Sequence, residues 1–228
     1  MNDTLAIVIA FVYVFAVLGV AEALRKVLKL PVEFTRKVVH ISVGMWAWGT
    51  VALFESKWMA IVTPAAFVVL NYVSYRRGLF LAMESNDRSN LGTVYFPLAF
   101  VAVILLIWDV SKPMLVAALM PMTWGDSFAA VIGKAIGRRR YSVGGSTRTV
   151  EGSLVMFALS FASVFITLLV LERLSGTDIG WAALFALATA ATATLVEAVS
   201  VRGLDNLFVP AASLGALAAM RMVYLTLA

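Results

Sequence analysis

Asp126 is the only acid in the run WGDSFAAVIGKAIGRRR, residues 124–140. At 100° per residue, Ala129, Ala130, Gly133 and Gly137 fall within about 60° of it on one helix face. Small residues at that spacing let a second backbone approach, so helix packing is one reading of the stripe. Packing gives no reason for a carboxylate at its centre, and a small-walled face also leaves room for a bulky group beside the acid. Lys134 follows about 12 Å along the axis, and Arg138, Arg139 and Arg140 come next. The arrangement suits an anion held at the basic end while a metal ion or a hydroxyl meets Asp126.

The run YSVGGSTRTVEGS, residues 141–153, comes directly after. It reads as a Gly/Ser/Thr loop feeding a helix start, where free backbone N–H groups and the helix dipole favour phosphate. Arg148 adds a guanidinium able to grip phosphate with two N–H groups. The sequence holds no Walker A run, and Gly144 and Gly145 by themselves fit a plain turn. Glu151 strengthens the phosphate reading, because a divalent metal bridging phosphates calls for a second acid in such a basic surround.

Membrane helices must position these residues. Of the 228 residues 62% are hydrophobic and 14% charged, which is too apolar for a soluble domain and predicts an all-α, polytopic membrane helix bundle. A crossing helix needs about 20 apolar residues. Eight candidate spans follow, at 4–20, 38–54, 58–75, 93–108, 113–136, 153–171, 181–200 and 204–224, with seven as the alternative count. They predict a single integral-membrane domain over residues 1–228. With no cysteine, thiolate chemistry and disulfides are excluded.

Alternate loops fall on opposite sides of such a bundle. Only Lys57, Lys112, Arg173 and Arg221 of the 18 Lys and Arg residues then lie on one side, and the remaining fourteen on the other. Positive charge marks the cytoplasmic side, so both termini are expected outside. The polar residues most costly to a bilayer gather on that inner side. They are Arg36 and Lys37 just before the second span and His40 at its inner end, Asn86, Asp87, Arg88 and Asn90 before the fourth, and Asp126 and Lys134 in the fifth. Glu151 opens the sixth, Glu197 closes the seventh, and Asp205 and Asn206 open the eighth. Ionisable groups at membrane depth mark function, and their convergence near one face predicts a site there, away from the midplane where transporters bind. Asp205 and Asn206 also fit a helix cap, and His40, the single histidine, also fits a structural hydrogen bond. Trp46, Trp58, Trp108 and Trp181 read as interfacial anchors.

Taken in order, RKVVHISVG (36–44), NLGTVYFP (90–97), WGDSFAAVIGKAIGRRR, GSTRTVEGS (145–153) and EAVSVRGLDNLFVP (197–210) form a pattern that resembles the CTP-dependent lipid kinases. That family comprises dolichol and polyprenol kinases, phytol kinases and CTP-dependent diacylglycerol kinases. The Thr two residues ahead of Glu-Gly-Ser is most similar to the dolichol and polyprenol branch. The resemblance implies transfer of the γ-phosphoryl group of CTP to the hydroxyl of a long-chain isoprenoid alcohol, with Mg²⁺ as cofactor. It casts Asp126 as metal ligand or base, and Glu151 and Glu197 as further catalytic or metal-binding acids. Nucleotide and phosphate binding would fall to Lys134, Arg138, Gly145, Ser146, Arg148, Thr149 and Gly152, joined by Arg36, Lys37, His40, Asn90, Asp205 and Asn206.

The partners so implied are CTP and a bilayer-embedded alcohol, with no nucleic acid. Small-residue stripes are also compatible with a homo-oligomer. Absence of cysteine and of organelle signals suits a prokaryotic cell membrane, with the site on its cytoplasmic face. Phytol or diacylglycerol is the alternative acceptor. More distant alternatives are a cytidylyltransferase that makes a CDP-lipid and a transporter of anions or lipid phosphates, though the two halves show no inverted repeat.

Overall fold

Lipid offers no water to backbone N–H and C=O groups, so long apolar stretches fold as helices that satisfy themselves. The computed structural model describes residues 2–79, 89–172 and 178–227. Asn86, Asp87, Arg88 and Arg173 lie outside the described residues. In chain order the elements are α1 (Asp3–Val27), α2 (Val32–Leu53), α3 (Lys57–Ala60), α4 (Val62–Arg77) and α5 (Gly92–Ile107). Then come α6 (Lys112–Met120), a π-helical turn (Pro121–Asp126), α7 (Ser127–Ile136), β1 (Arg140–Val143), β2 (Ser146–Thr149), α8 (Val150–Glu172), α9 (Ile179–Val199) and α10 (Asp205–Leu227).

With α3 running into α4, and α6 through the π turn into α7, the described residues form eight rods where eight spans were expected. Six are long and apolar enough to cross a membrane. Of the other two, α5 has only 16 residues, and α2 carries Glu33, Arg36 and Lys37 in its first turns. The fold is an all-α membrane bundle with one small ribbon. Helix starts are capped by side chains: Asn2 accepts from the Thr4 N–H at 2.9 Å, Ser111 from Met114 at 3.2 Å and Asp178 from Gly180 at 2.6 Å.

The rod Lys112–Ile136 is the axis of the bundle. Inside the protein 72% of its apolar window is buried, against 28% to 33% for the other five candidate spans. Its neighbours are α2, α5, α8 and α10, and Leu115, Val116, Ala117, Ala118 and Leu119 are wholly enclosed. A second, smaller apolar cluster joins α1, α2 and α4 through Val14, Leu18, Val39 and Phe67.

Three features depart from the sequence reading. Helix α2 starts at Val32, ahead of the expected residue 38, because Pro31 supplies a fixed φ at its N-cap. The expected loop at 141–153 is a β-hairpin with Val143 paired to Ser146. Gly144 and Gly145 turn it at φ +58° and +82°, the two left-handed positions of a tight hairpin turn. The axial helix is underwound into a π turn at Pro121, which has no N–H to give to the preceding turn. Two tryptophans also pack inside the bundle: Trp108 is buried beneath Lys112, and Trp46 stacks on Tyr13 at 4.9 Å.

The two ends of the bundle differ in chemistry. At one end Asp3 accepts the Glu55 and Ser56 N–H groups at 2.8 and 3.1 Å, and Lys57 pairs with Asp109. At the other end Lys134 pairs with Glu33, and Arg148 ties the hairpin to α9 and α10. The second end holds the expected site residues.

Candidate active site

Asp126 closes the π turn, and its side chain is only 8% exposed. Helix α2 grips this turn with two residues one helical turn apart. Lys37 Nζ donates to Asp126 Oδ2 at 2.6 Å, and His40 Nε2 donates to the Met122 carbonyl at 2.9 Å. His40 also stands edge-on to Phe96, with ring centres 4.4 Å apart. Short π segments inside α-helices often mark functional positions. Here the wider π turn delivers a carboxylate into a cavity.

That cavity, of about 100 Å³, has two characters. Its polar wall is Arg36, Lys37, His40, Asn90, Asp126, Asp205 and Asn206, while Val14, Leu18, Val39, Val43, Phe67, Phe96 and Pro97 make the rest apolar. The polar wall depends on a backbone contact between two sequence motifs. A Cβ on Gly203 would lie 2.5 Å from the Cα of Gly92, and Gly203 itself has φ +82°. No larger residue lets these segments meet, and their meeting seats Asn90, Asp205 and Asn206 together. Asp205 uses Oδ1 to accept the Asn206 N–H at 2.9 Å, so it caps α10 while Oδ2 faces Arg148 at 3.5 Å. Asn206 Oδ1 is buried with no hydrogen-bond partner among the described residues.

A second cavity, of about 320 Å³, opens on the far side of Arg148. Lys134, Arg140 and Arg148 make it basic, Thr147, Thr149 and Ser153 give it hydroxyls, and Ala129, Ala130, Gly133 and Gly152 form its small wall; Glu197 is its acid. This volume is at the low end for a ligand pocket, whereas the first cavity has room only for the head of a ligand. Arg148 lines this cavity and reaches towards the first: its Nε lies 2.8 Å from Glu197 Oε1, and its Nη2 reaches the carbonyls of Glu197 and Ser200 and also Asp205, which lines the first cavity. Glu197 is 4% exposed, so this contact compensates a buried charge.

The expected residues thus divide between two adjoining cavities. Lys134, Arg148, Thr149, Gly152 and Glu197 share the basic one, and Arg36, Lys37, His40, Asn90, Asp126, Asp205 and Asn206 share the amphiphilic one. Four fall in neither. Arg138 is exposed beyond the end of α7, Gly145 is at the hairpin tip with nothing within 4 Å of a Cβ, and Ser146 is buried under the turn. Glu151 turns back to accept the Arg139 N–H at 3.3 Å. The start of α8 is also internally satisfied, for the Val150 N–H goes to the Arg139 carbonyl and the Gly152 N–H to Thr149 Oγ1. The anion-binding potential of this segment therefore sits in its side chains, and the helix terminus expected to supply it is occupied.

The glycine stripe also resolves. A Cβ on Gly133 would meet Thr149 Oγ1 at 2.8 Å, one on Gly137 the Gly133 carbonyl at 2.2 Å, and one on Gly152 Thr149 Oγ1 at 2.9 Å. These glycines pack α7 against the start of α8. Ala129, Ala130 and Gly133 of the stripe also line the basic cavity.

Sequence reasoning missed Asn71, Thr93, Arg140, Thr147 and Ser153, which line the cavities. Asn71 carried a readable signal, a lone amide within an otherwise apolar span. Arg140 is indistinguishable by type from its neighbours Arg138 and Arg139, and only the strand selects it.

With this geometry in hand, the relatives of the chain are informative. It is 32% identical to the phytol kinase of Synechocystis sp. over 214 residues, covering 92% of this chain and 88% of that protein. It is 30% identical to probable phytol kinase 2, chloroplastic, of Glycine max, and 28% identical to a probable chloroplastic phytol kinase of Zea mays. Those two matches cover 80% of this chain and 63% and 65% of the plant proteins. No family model matches the sequence, and no solved structure matches it. The phytol names fit the alternative acceptor class better than the dolichol and polyprenol branch suggested by the Thr before Glu-Gly-Ser. The similarity to the Synechocystis protein runs nearly end to end, and the chain belongs to the phytol kinase family of membrane lipid kinases.

Proposed function

We propose that this protein transfers the γ-phosphoryl group of CTP to the hydroxyl of a phytol-type isoprenoid alcohol, giving the alkyl phosphate and CDP. The observation that carries the reading is Asp126. It is a buried carboxylate on the wall of a cavity with an apolar remainder, separated by Arg148 from a basic cavity. The relatives named phytol kinases support the acceptor class.

An isoprenoid alcohol is almost entirely hydrocarbon and reaches the site from the bilayer. Its chain lies against Val14, Leu18 and Phe67, and its hydroxyl faces Asp126. The triphosphate occupies the basic cavity among Lys134, Arg140 and Arg148, with Arg148 exchanging carboxylate contacts for phosphate oxygens. Phosphoryl transfer is mainly positioning and charge neutralisation. The alcohol oxygen forms a bond to the γ-phosphorus while the bond from that phosphorus to the β–γ bridging oxygen breaks. The electron pair leaves on CDP, and the hydroxyl proton passes to Asp126, which Lys37 holds in place.

Among the described residues no three acidic or histidine side chains converge as a metal cage. Mg²⁺ takes only one or two protein carboxylates beside water and phosphate. Asp205, with the buried Asn206 Oδ1 beside it, fits that habit, and these residues would hold the ion while Asp126 is kept for the hydroxyl. Bound there, Mg²⁺ would neutralise phosphate charge and fix the phosphate oxygens. The concentration of positive charge at the site end of the bundle supports a cytoplasmic active site.

The test is a purified preparation in detergent, offered CTP or ATP with phytol, a polyprenol or a diacylglycerol. Phytyl phosphate and CDP should form fastest from CTP and phytol. A preference for ATP overturns the donor, and a preference for polyprenol or diacylglycerol overturns the acceptor.

A further inference from the structure

Asn71 is 7% exposed, on α4, and belongs to none of the motifs that resemble the lipid kinases. Its Nδ2 donates to the Thr93 carbonyl at 2.8 Å. That carbonyl would ordinarily accept the N–H of residue 97 in α5, but residue 97 is proline and has no N–H to give. Asn71 supplies the missing donor. This fixes which way its amide faces, because a carbonyl oxygen can accept only from the N–H side.

The consequence falls on the other half of the amide. Asn71 Oδ1 is buried and has no hydrogen-bond partner among the described residues. Asn71 lines the amphiphilic cavity one helical turn from Phe67, beside Thr93 and Pro97. An unpaired buried acceptor costs free energy that a ligand's O–H recovers and a ligand's carbonyl does not.

We infer that Asn71 is a positioning and specificity residue for the acceptor, taking a hydrogen bond from the lipid hydroxyl before transfer and disfavouring lipids with ester carbonyls near the head. The inference rests on the reading of this cavity as the acceptor site. An isoprenoid alcohol carries one polar group, and it is a donor. A diacylglycerol brings two ester carbonyls close to its hydroxyl, and both would face an oxygen that has nothing to donate.

Pro97 makes the idea testable, because Pro97→Ala restores an N–H for Thr93 and separates the two halves of the Asn71 amide. Binding is read first, without nucleotide, as the rise in melting temperature of the full-length protein in detergent on adding phytol. Wild type should be stabilised, and the double variant Asn71→Leu/Pro97→Ala should need about tenfold more phytol for the same shift, one hydrogen bond's worth. A wild-type response in that double variant means Asn71 serves only to satisfy Thr93, and overturns the inference. In the single variant Pro97→Ala the amide is free to turn its N–H towards the lipid. Dioctanoylglycerol should then gain on phytol by about tenfold in binding and, with CTP, in kcat/KM. An unchanged ratio also overturns the inference. If wild type binds phytol but phosphorylates no lipid alcohol, the kinase reading fails while the assignment of Asn71 stands; if phytol does not bind at all, the assignment fails too.

Discussion

Lys37 and Asp126 are 89 residues apart in the sequence and form a 2.6 Å ion pair, with side chains 12% and 8% exposed. The pair joins α2 to the π turn of the axial helix, so one contact both holds the fold and aims the carboxylate.

Separating those roles needs two variants. Asp126→Asn should lower turnover by at least about 10²-fold, as for loss of a positioned proton acceptor. It should also destabilise the protein by roughly 3–5 kcal/mol, because the Lys37 ammonium is left buried without its partner. Asp126→Asn with Lys37→Met removes both charges and should recover most of the melting temperature while staying inactive. Activity near wild type in a folded Asp126→Asn protein would make the aspartate a structural residue.

Arg148 should report on the nucleotide side. Arg148→Lys keeps the charge but loses the planar fork that reaches Glu197, Asp205 and two carbonyls. The KM for CTP should rise by about tenfold or more, with the KM for phytol little changed. Steady-state kinetics with each substrate varied in turn decides this, and the opposite pattern would exchange the roles of the two cavities.

Two glycines with positive φ should behave differently. Gly145→Ala meets open space, so it carries only local strain of about 1–2 kcal/mol and should leave the KM for CTP within about twofold. Gly203→Ala drives a methyl into the backbone of Gly92 and should disturb Asn90, Asp205 and Asn206 together. Its signature is a lowered melting temperature with a raised KM for the alcohol. A large effect of Gly145→Ala on CTP would return the hairpin tip to the site.

Much of this was legible in the sequence because membrane helices are written in composition: each of the eight rods among the described residues overlaps its apolar stretch, although α1 runs on to Val27 and α2 begins already at Val32. Gathering of the site residues at one end was legible too, since charge is expensive elsewhere in lipid. Their division between two cavities was not. It depends on the Gly92–Gly203 contact and on the π turn, and neither has a periodic signature. The motif at 145–153 misled for a physical reason. A Gly/Ser/Thr run before a helix describes a phosphate loop and a tight hairpin equally well, and only strand pairing distinguishes them.

Orientation in the membrane is testable at the hairpin. Val143 is 46% exposed beside the turn, and no other cysteine competes in the chain. Val143→Cys in oriented vesicles should react with an impermeant maleimide only from the cytoplasmic side. Labelling from the opposite side would reverse the topology and move the nucleotide site with it.

The most direct test of the central claim follows two isotopic labels through one reaction. The purified protein is given phytol and Mg²⁺ with CTP labelled either at the γ-phosphorus or at the α-phosphorus. Transfer of the γ-phosphoryl group puts label into the lipid from γ-labelled CTP alone, with CDP formed in equal amount, and Asp126→Asn should abolish nearly all of it. Label reaching the lipid from α-labelled CTP, with pyrophosphate released, would instead show nucleotidyl transfer and contradict the account.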